Sequence, residues 1–200
     1  MGGEKNRKLN FKRAVTLLGG AGFSEGELNK SLRLAPELVA ADGGANFLKH
    51  VKHVPSYIVG DFDSVEGIKK WESKGTKIIK ISEQNSTDFE KCIRNIKAPK
   101  FICLGFANER LDHFLAVCSA LIKSNKPIFI LGNRDLIFHL PTKFNFELPI
   151  HSRVSLYPLK EIEPHWLHPI FNKKIDSFFQ ELDKNSHNEI TRLSKSDILN

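Results

Sequence analysis

Two aspartates separated by a single residue form the clearest chemical signal in the chain. Asp61 and Asp63 follow the apolar residues 57–59, a run that is typical of a buried strand. In a strand, residues at i and i+2 face the same side, so the two carboxylates can act together. Paired carboxylates suit a hard cation that is held against phosphate oxygens. A solvated acidic turn is the alternative interpretation of this pattern taken by itself.

Further apolar runs along the chain also end in glycine or polar residues. They cover residues 14–18, 38–41, 77–81, 100–105 and 127–132, and helix-like segments separate them. This alternation predicts an α/β fold with a parallel, Rossmann-like sheet and helices on both faces. The carboxyl ends of parallel strands form a ligand crevice at one edge of the sheet. The side chains expected at this edge are Asp42, Asp61, Asp63, Asp88 and Asn133.

Capping signals and periodicity predict two helices. Thr87 and Glu90 fit a capping box at the start of the first helix. Its apolar stripe consists of Phe89, Cys92, Ile93 and Ile96. The second helix begins near residue 110, and the side chains that we expect it to bury are Leu111, Leu115, Cys118 and Ile122.

Several polar positions retain two interpretations. Residues 19–22 fit either a phosphate cradle of backbone N–H groups or a tight strand-to-helix turn. Thr87 and Asp88 fit either ligand binding or simple helix initiation. An arginine at a helix start opposes the macrodipole, so Arg110 requires either a phosphate or a salt bridge with Asp112. His113 fits either proton transfer or a structural hydrogen bond near the helix start.

The net charge of +7 is concentrated at one end of the chain. Residues 1–13 hold five basic and one acidic residue, residues 14–150 hold eighteen and fifteen, and residues 151–200 hold seven and seven. We therefore interpret residues 1–13 as a basic N-terminal tail, and we predict no specific nucleic-acid partner. Because no apolar stretch is long enough to span a bilayer, no membrane partner is predicted.

The three cysteines indicate a reducing compartment. Cys92, Cys103 and Cys118 lack Cys-x-x-Cys spacing and lie in apolar stretches. Buried, reduced thiols in a cytoplasmic protein are the interpretation that this usage favours.

Four stretches together resemble the thiamin pyrophosphokinase family. They are residues 41–46 (Ala-Asp-Gly-Gly-Ala-Asn), 60–64 (Gly-Asp-Phe-Asp-Ser), 84–91 (Gln-Asn-Ser-Thr-Asp-Phe-Glu-Lys) and 110–113 (Arg-Leu-Asp-His). They occur in the family's order, within about residues 14–157. The resemblance implies transfer of pyrophosphate from ATP to the hydroxyl of thiamin, which requires Mg²⁺ and gives thiamin diphosphate and AMP.

The resemblance also assigns roles to residues of this sequence. It implies that Asp61, Asp63 and Asp88 hold magnesium, with Asp42 on the same rim of the catalytic site. Arg110 would bind phosphate and Asp112 would brace it. The candidates for nucleotide contacts are Gln84, Thr87, Lys91, Arg110 and Asn133. Of these, Lys91 stands in the first turn of a helix, where a lysine is often solvated.

The C-terminal part departs from the family. The resemblance implies an ATP- and Mg²⁺-binding catalytic domain at residues 14–142 and a smaller β-sandwich-type domain at residues 143–200, which helps to build the thiamin pocket in a homodimer. Residues 153–157 look like the opening strand of that domain, but beyond them the pattern diverges and is partly helical. Asn108 and Glu109 replace a usually glycine-rich approach to the arginine motif, and Asn85 stands where an acidic residue is frequent.

Two other functions remain as alternatives. A noncatalytic protein that binds nucleotides or thiamin phosphates would keep the first domain but have a degenerate acceptor pocket. A metal-dependent phosphohydrolase of the haloacid dehalogenase type would share the Asp-x-Asp opening of residues 61–63. That class also uses a later Gly-Asp pair, and no such pair follows Asp61 in the sequence.

Overall fold

The computed structural model describes residues 8–107, 110–132, 135–140 and 154–155. The strands of this part are β1 (Leu9–Asn10), β2 (Val15–Leu18), β3 (Glu37–Ala41), β4 (Tyr57–Gly60), β5 (Lys77–Lys80), β6 (Ile96–Lys97), β7 (Phe101–Leu104), β8 (Ile128–Leu131) and β9 (Leu136–Phe138). The helices are α1 (Glu25–Leu34), α2 (Ile68–Ser73), α3 (Asp88–Asn95) and α4 (Leu111–Lys123). A 3₁₀ helix, Asp42–His50, follows β3.

Seven of the described strands form one sheet in the order β5-β4-β3-β2-β7-β8-β9. All neighbours are parallel except β9, which pairs antiparallel with β8. The predicted α/β fold with a mostly parallel sheet is confirmed. The last residue of each of the six predicted strands lies within one position of the last residue of the corresponding observed strand. The antiparallel edge strand β9 was not predicted.

The strand sequences alternate between two hydrophobic layers, one on each face of the sheet. On one face, α3 and α4 cover side chains such as Leu17, Val39 and Cys103. On the other face, α1, α2 and the 3₁₀ helix cover Leu18, Ala40 and Leu104. Because central strands of such a sheet are buried on both sides, they read as continuous apolar runs. This burial fixes the strand ends, and with them the loops that carry the polar residues.

The apolar face of α3 is predicted correctly, but that of α4 is not. The whole predicted stripe of α3 is buried. In α4, by contrast, Leu111 is 73% exposed and Leu115 is 57% exposed, while Val117, Ala120 and Leu121 are buried. Apolar residues of α4 occur around most of the circumference of the helix, so periodicity alone cannot tell which row faces the sheet. We call Leu111 and Leu115 the exposed leucine pair.

Two regions outside the main sheet bear on the predicted organisation. Within the segment interpreted as a basic tail, Leu9 is buried and β1 pairs in parallel with β6 as a separate two-stranded sheet. The predicted domain at residues 143–200 lies outside the described residues, except for 154–155.

In the described part, no helix combines the length and the apolar character needed to cross a membrane.

The cysteine prediction is confirmed in part. Cys92 and Cys103 are buried free thiols, whereas Cys118 is only half-buried. Burial raises the pKa of the Cys103 thiol above its ordinary value, so this side chain behaves as a small apolar group of the core.

Candidate active site

Asp42 is the buried centre of the polar edge. Its side chain follows β3 at the start of the 3₁₀ helix and is fully buried. Oδ2 accepts a hydrogen bond from the backbone N–H of Phe62 at 2.9 Å, and Oδ1 accepts one from the backbone N–H of Val65 at 2.8 Å. A buried carboxylate requires such donors. Asp42 therefore anchors the turn that leaves β4, which we call the acidic turn (residues 60–66).

The acidic turn has an unusual backbone that depends on this anchor. Phe62 has a φ of 71°, a left-handed conformation that is costly for a bulky residue. A Cβ atom on Gly60 would lie 2.8 Å from the Asp42 Cβ and 3.0 Å from its Oδ2, so only glycine leaves room for the carboxylate. Asn46 adds a second anchor, because its Nδ2 donates to Ser64 O and its Oδ1 accepts from Glu66 N, each at 2.9 Å.

Three carboxylates converge at this edge. Asp42, Asp61 and Asp88 each offer one oxygen, and these oxygens lie within 4.8 Å of one another. Asp42 follows β3, Asp61 follows β4, and Asp88 opens the helix after β5. Adjacent parallel strands thus deliver all three, as the sheet-edge argument predicts. Closely spaced carboxylate oxygens are the donors that Mg²⁺ prefers. We call these three aspartates the carboxylate cluster.

Lys91 lies inside the carboxylate cluster instead of in solvent. Its Nζ is 3.1 Å from Asp61 Oδ2 and 3.1 Å from Asp88 Oδ1, and its side chain is only 3% exposed. Burial lowers the pKa of Lys91, but the hydrogen bonds to Asp88 and Asp61 outweigh burial and raise it above its ordinary value. The lysine is therefore a charged bridge between the acidic turn and α3.

The cluster separates the pKa values of its aspartates. Burial, a hydrogen bond shared with Asp61 and the charge of Asp88 raise the pKa of Asp42 to about 6. Partial burial opposes the shift of Asp61, yet hydrogen bonds from Lys91, Asp42 and Gln84 outweigh it and lower its pKa to about 2. Burial raises the pKa of Asp88 despite the nearby Lys91. Asp61 is thus the member that stays ionised most readily.

Gln84 reaches the cluster from the loop after β5. Its Nε2 donates to Asp61 Oδ2 at 2.7 Å. Arg94 of α3 steadies this loop, because it donates to Glu83 and to Ser86, while Glu83 Oε2 accepts from the backbone N–H of Asn85 at 2.9 Å. The loop therefore holds the predicted nucleotide contact Gln84 against a predicted metal ligand.

Thr87 begins α3 through the predicted capping box. Its hydroxyl accepts from Glu90 N at 3.3 Å, and Glu90 Oε2 accepts from Thr87 N at 3.2 Å. This confirms the helix-initiation role. An accepting hydroxyl can still donate its own hydrogen, so the predicted nucleotide contact stays compatible with the cap.

Arg110 and Asp112 form a two-point ion pair at the N-terminus of α4. Arg110 Nη2 donates to Asp112 Oδ2 at 2.6 Å, and Nε donates to Oδ1 at 3.1 Å. The bond from Arg110 lowers the pKa of Asp112 to about 2. Both side chains are exposed, at 64% and 65%, so the pair contributes little stability. It does orient the guanidinium, which keeps further N–H donors for an anion.

The remaining candidates lie apart from this cluster or outside the described residues. Asp63 is exposed and is not one of the three converging carboxylates. The strand ends at Gly60 and Phe62 turns the chain, so the i, i+2 argument does not extend to Asp63. Its charge still contributes to the raised pKa of Asp88, and its role as a metal ligand stays a prediction. His113 is exposed, and Asn133, Asn108 and Glu109 lie outside the described residues.

The glycine-rich loop at residues 19–22 has the hydrogen bonds of a structural turn. Gly19 N donates to Leu104 O at 2.8 Å, and Ala21 N donates to Gly105 O at 3.0 Å. These two N–H groups are therefore committed to the last residue of β7 and the residue that follows it. A Cβ atom on Gly19 would lie 2.3 Å from Gly105 O, which explains the glycine by close backbone approach.

Sequence reasoning missed two features of the site. It did not foresee that Lys91 bridges Asp61 and Asp88, although the i, i+3 spacing from Asp88 was a usable signal. It also did not foresee that Asp42 and Asn46 clamp the acidic turn, for which no local sequence pattern exists because the partners are about twenty residues apart in the chain.

Fold and site together define an α/β protein whose sheet edge carries a carboxylate cluster suited to a metal ion and phosphates. Residues 28–131 match the model of the thiamin pyrophosphokinase catalytic domain. Since this match covers more than half of the chain, the protein belongs to the thiamin pyrophosphokinase family. The matched range contains Asp42, Asp61, Asp88, Lys91 and Arg110.

Individual relatives agree with this membership. The chain is 33% identical over 119 residues to thiamin pyrophosphokinase 1 of Caenorhabditis elegans, covering 52% of this chain and 48% of the relative. It is 30% identical over 148 residues to thiamine pyrophosphokinase of Saccharomyces cerevisiae, covering 62% and 46%. The chain thus spans about half the length of the curated relatives it matches. The fold is similar to that of thiamin pyrophosphokinase from Candida albicans, with a TM-score of 0.54, 22% identity, and coverage of 66% of this chain and 61% of that chain.

Proposed function

We propose that the protein is a thiamin pyrophosphokinase, a transferase that moves the pyrophosphoryl group of ATP to thiamin and releases AMP. The observation that carries the proposal is the carboxylate cluster with Lys91, which lies within the range that matches the family's catalytic domain. In the reaction, the hydroxyl oxygen of thiamin forms a bond to the β-phosphorus of ATP. The bond that breaks joins this β-phosphorus to the oxygen it shares with the α-phosphorus. The hydroxyl proton is lost, and AMP leaves.

The residues of the cluster fit a magnesium ion. Asp42, Asp61 and Asp88 provide oxygen donors at a suitable mutual distance, and Asp63 is kept as a further proposed ligand on the same turn. Bound magnesium would offset the negative charge of the phosphate oxygens. The chain's own contribution is to fix these carboxylates before ATP arrives, through the backbone bonds of Asp42 and the bridge of Lys91.

Other side chains are proposed to bind and orient the nucleotide. Gln84 and Thr87 present an amide and a hydroxyl at the start of α3, where the helix N-terminus favours negative charge. Arg110, oriented by Asp112, supplies cationic donors at the N-terminus of α4. We include Asn133 on the strength of its sequence position after the sixth run.

Thiamin, the second subunit and the cellular location belong to the proposal as well. The names of the relatives support thiamin as the acceptor, and the family resemblance implies that residues 143–200 contribute to its pocket within a homodimer. The buried free thiols Cys92 and Cys103 support a cytoplasmic location.

One assay compares the proposed function with its alternatives. The purified chain is incubated with ATP, Mg²⁺ and thiamin, and AMP, thiamin diphosphate and inorganic phosphate are followed together. The proposal expects AMP and thiamin diphosphate to form in equal amounts. Nucleotide binding without turnover would instead support the noncatalytic binding protein. In a parallel incubation with small phosphoesters, phosphate release without AMP would support the phosphohydrolase.

The exposed leucine pair offers a test of the proposed homodimer. It begins one residue after Arg110, and exposed leucines of one helix row are typical of an interface. We expect the unaltered chain to be a dimer and the double variant Leu111→Gln, Leu115→Gln to be largely monomeric in light scattering. The control is Leu34→Gln on α1, which is 42% exposed on the opposite face of the sheet. A monomeric unaltered chain would contradict the dimer, and a dimeric double variant would contradict this interface.

A further inference from the structure

Lys91 uses the oxygens that a metal ion would need. Its Nζ contacts Asp61 Oδ2 and Asp88 Oδ1, each at 3.1 Å, and both aspartates belong to the carboxylate cluster. The side chain is 3% exposed, so water screens its charge poorly. A divalent cation that enters the cluster must therefore share these carboxylates with a fixed positive charge.

The position of Lys91 leaves it little freedom to move away. It lies in the first turn of α3, which the Thr87–Glu90 capping box fixes, and its backbone carbonyl accepts from Asn95 Nδ2 at 2.8 Å. Gln84 adds another donor to the same oxygen of Asp61. The ammonium can give up carboxylate contacts without a large loss only if another anion takes their place.

We propose that Lys91 makes metal binding conditional on the phosphate ligand: the cluster binds a free divalent cation weakly and accepts it together with a pyrophosphate-containing anion. The phosphate oxygens replace the carboxylates as partners of the Lys91 ammonium and compensate the added charge of the metal. Lys91 is thus a positioning residue that suppresses occupation of the site by bare metal ions. The identity of the anion as ATP rests on the proposed function, whereas the effect on metal binding does not.

The test measures Mn²⁺ binding to the full chain by electron paramagnetic resonance, without any nucleotide. We expect Lys91→Met to bind Mn²⁺ about tenfold more tightly than the unaltered chain, since a like charge at close range is removed. Lys91→Arg, which keeps the charge, should bind as the unaltered chain does. Lys49→Met is the control for net charge, because Lys49 pairs with the exposed Glu66, which is not one of the three cluster carboxylates, and its Mn²⁺ affinity should not change.

A second measurement adds inorganic pyrophosphate as the anion. In the unaltered chain, pyrophosphate should raise the affinity of the protein for Mn²⁺ about tenfold, after correction for the Mn²⁺ that free pyrophosphate binds in solution. This gain should be smaller in Lys91→Met. If Lys91→Met melts too low to be assayed, Lys91→Gln, which keeps a hydrogen-bond donor but no charge, replaces it with the same expectation.

Several results would overturn the proposal. Mn²⁺ affinity that is unchanged or weaker in the folded neutral variants would mean that Lys91 only holds the carboxylates in place. Tight binding of Mn²⁺ to the unaltered chain without an anion would contradict the conditional site. If the neutral variants gain affinity while no thiamin diphosphate forms in the assay above, the inference stands and the proposed function fails.

Discussion

Replacing Asp61 by asparagine is expected to lower the rate of pyrophosphate transfer by about a thousandfold, a loss typical of removing a main electrostatic element of an active site. Asp61 connects the cluster: its Oδ2 accepts from Lys91 at 3.1 Å and from Gln84 at 2.7 Å. Its depressed pKa, about 2, keeps it ionised where a cation must be held. Steady-state formation of AMP and thiamin diphosphate measures the change.

A matched variant separates this effect from a general change of the acidic turn. Glu66→Gln makes the same chemical change on the same turn, but Glu66 pairs with Lys49 and its side chain is 75% exposed. We expect that variant to retain normal turnover. Asp61→Asn should also stay folded, because Lys91 keeps Asp88 as a partner. Near-normal activity of a folded Asp61→Asn protein would remove Asp61 from the metal site.

Replacing Asp42 by alanine is expected to damage both the fold and the reaction. The backbone N–H groups of Phe62 and Val65 would lose their acceptor, and an unsatisfied buried donor costs about 1–3 kcal/mol. Burial and the nearby charge of Asp88, which raise the pKa of Asp42 to about 6, make its carboxylate unfavourable, so removing it offsets part of this loss. We therefore expect the free energy of unfolding to fall by about 2 kcal/mol, measured by denaturant unfolding, together with a loss of detectable turnover.

Two further variants assign the causes of these effects. Asn46→Ala removes the other anchor of the acidic turn, which is less buried, and is expected to cost about 1 kcal/mol while most turnover remains. Asp42→Asn keeps one acceptor for the turn but no charge, so its stability should lie between the unaltered chain and Asp42→Ala while turnover stays lost. An Asp42→Ala protein as stable as the unaltered chain would show that the two backbone bonds do not hold the turn.

The sequence predicts those parts of the fold that depend on local pattern. The central sheet strands can be recognised because burial on both faces makes them continuous apolar runs, and α3 can be recognised because its apolar stripe is confined to one side. The buried row of α4 cannot be identified from the sequence, since Leu111 and Leu115 are as apolar as the residues of α4 that pack in the core. Only contact with the sheet decides between the rows.

In the site, too, some features can be predicted from the sequence and others depend on tertiary contacts. That Asp42, Asp61 and Asp88 meet at one edge follows from parallel strands and is predictable. That Asp61 faces the cluster while Asp63 is exposed depends on the left-handed backbone of Phe62, which no rule of alternation anticipates. That Lys91 is buried depends on two carboxylates from separate segments. Tertiary contacts override the usual preference of a helix-start lysine for solvent.

The most direct test of pyrophosphate transfer follows the phosphorus atoms of ATP. The protein is incubated with Mg²⁺, thiamin and ATP that carries a radioactive label in its β-phosphorus. Pyrophosphate transfer predicts that the label appears in thiamin diphosphate and that unlabelled AMP forms in an equal amount, with neither product when thiamin is omitted. Label that remains in ADP, or thiamin that stays unmodified while the folded protein binds ATP, would contradict pyrophosphate transfer at this site.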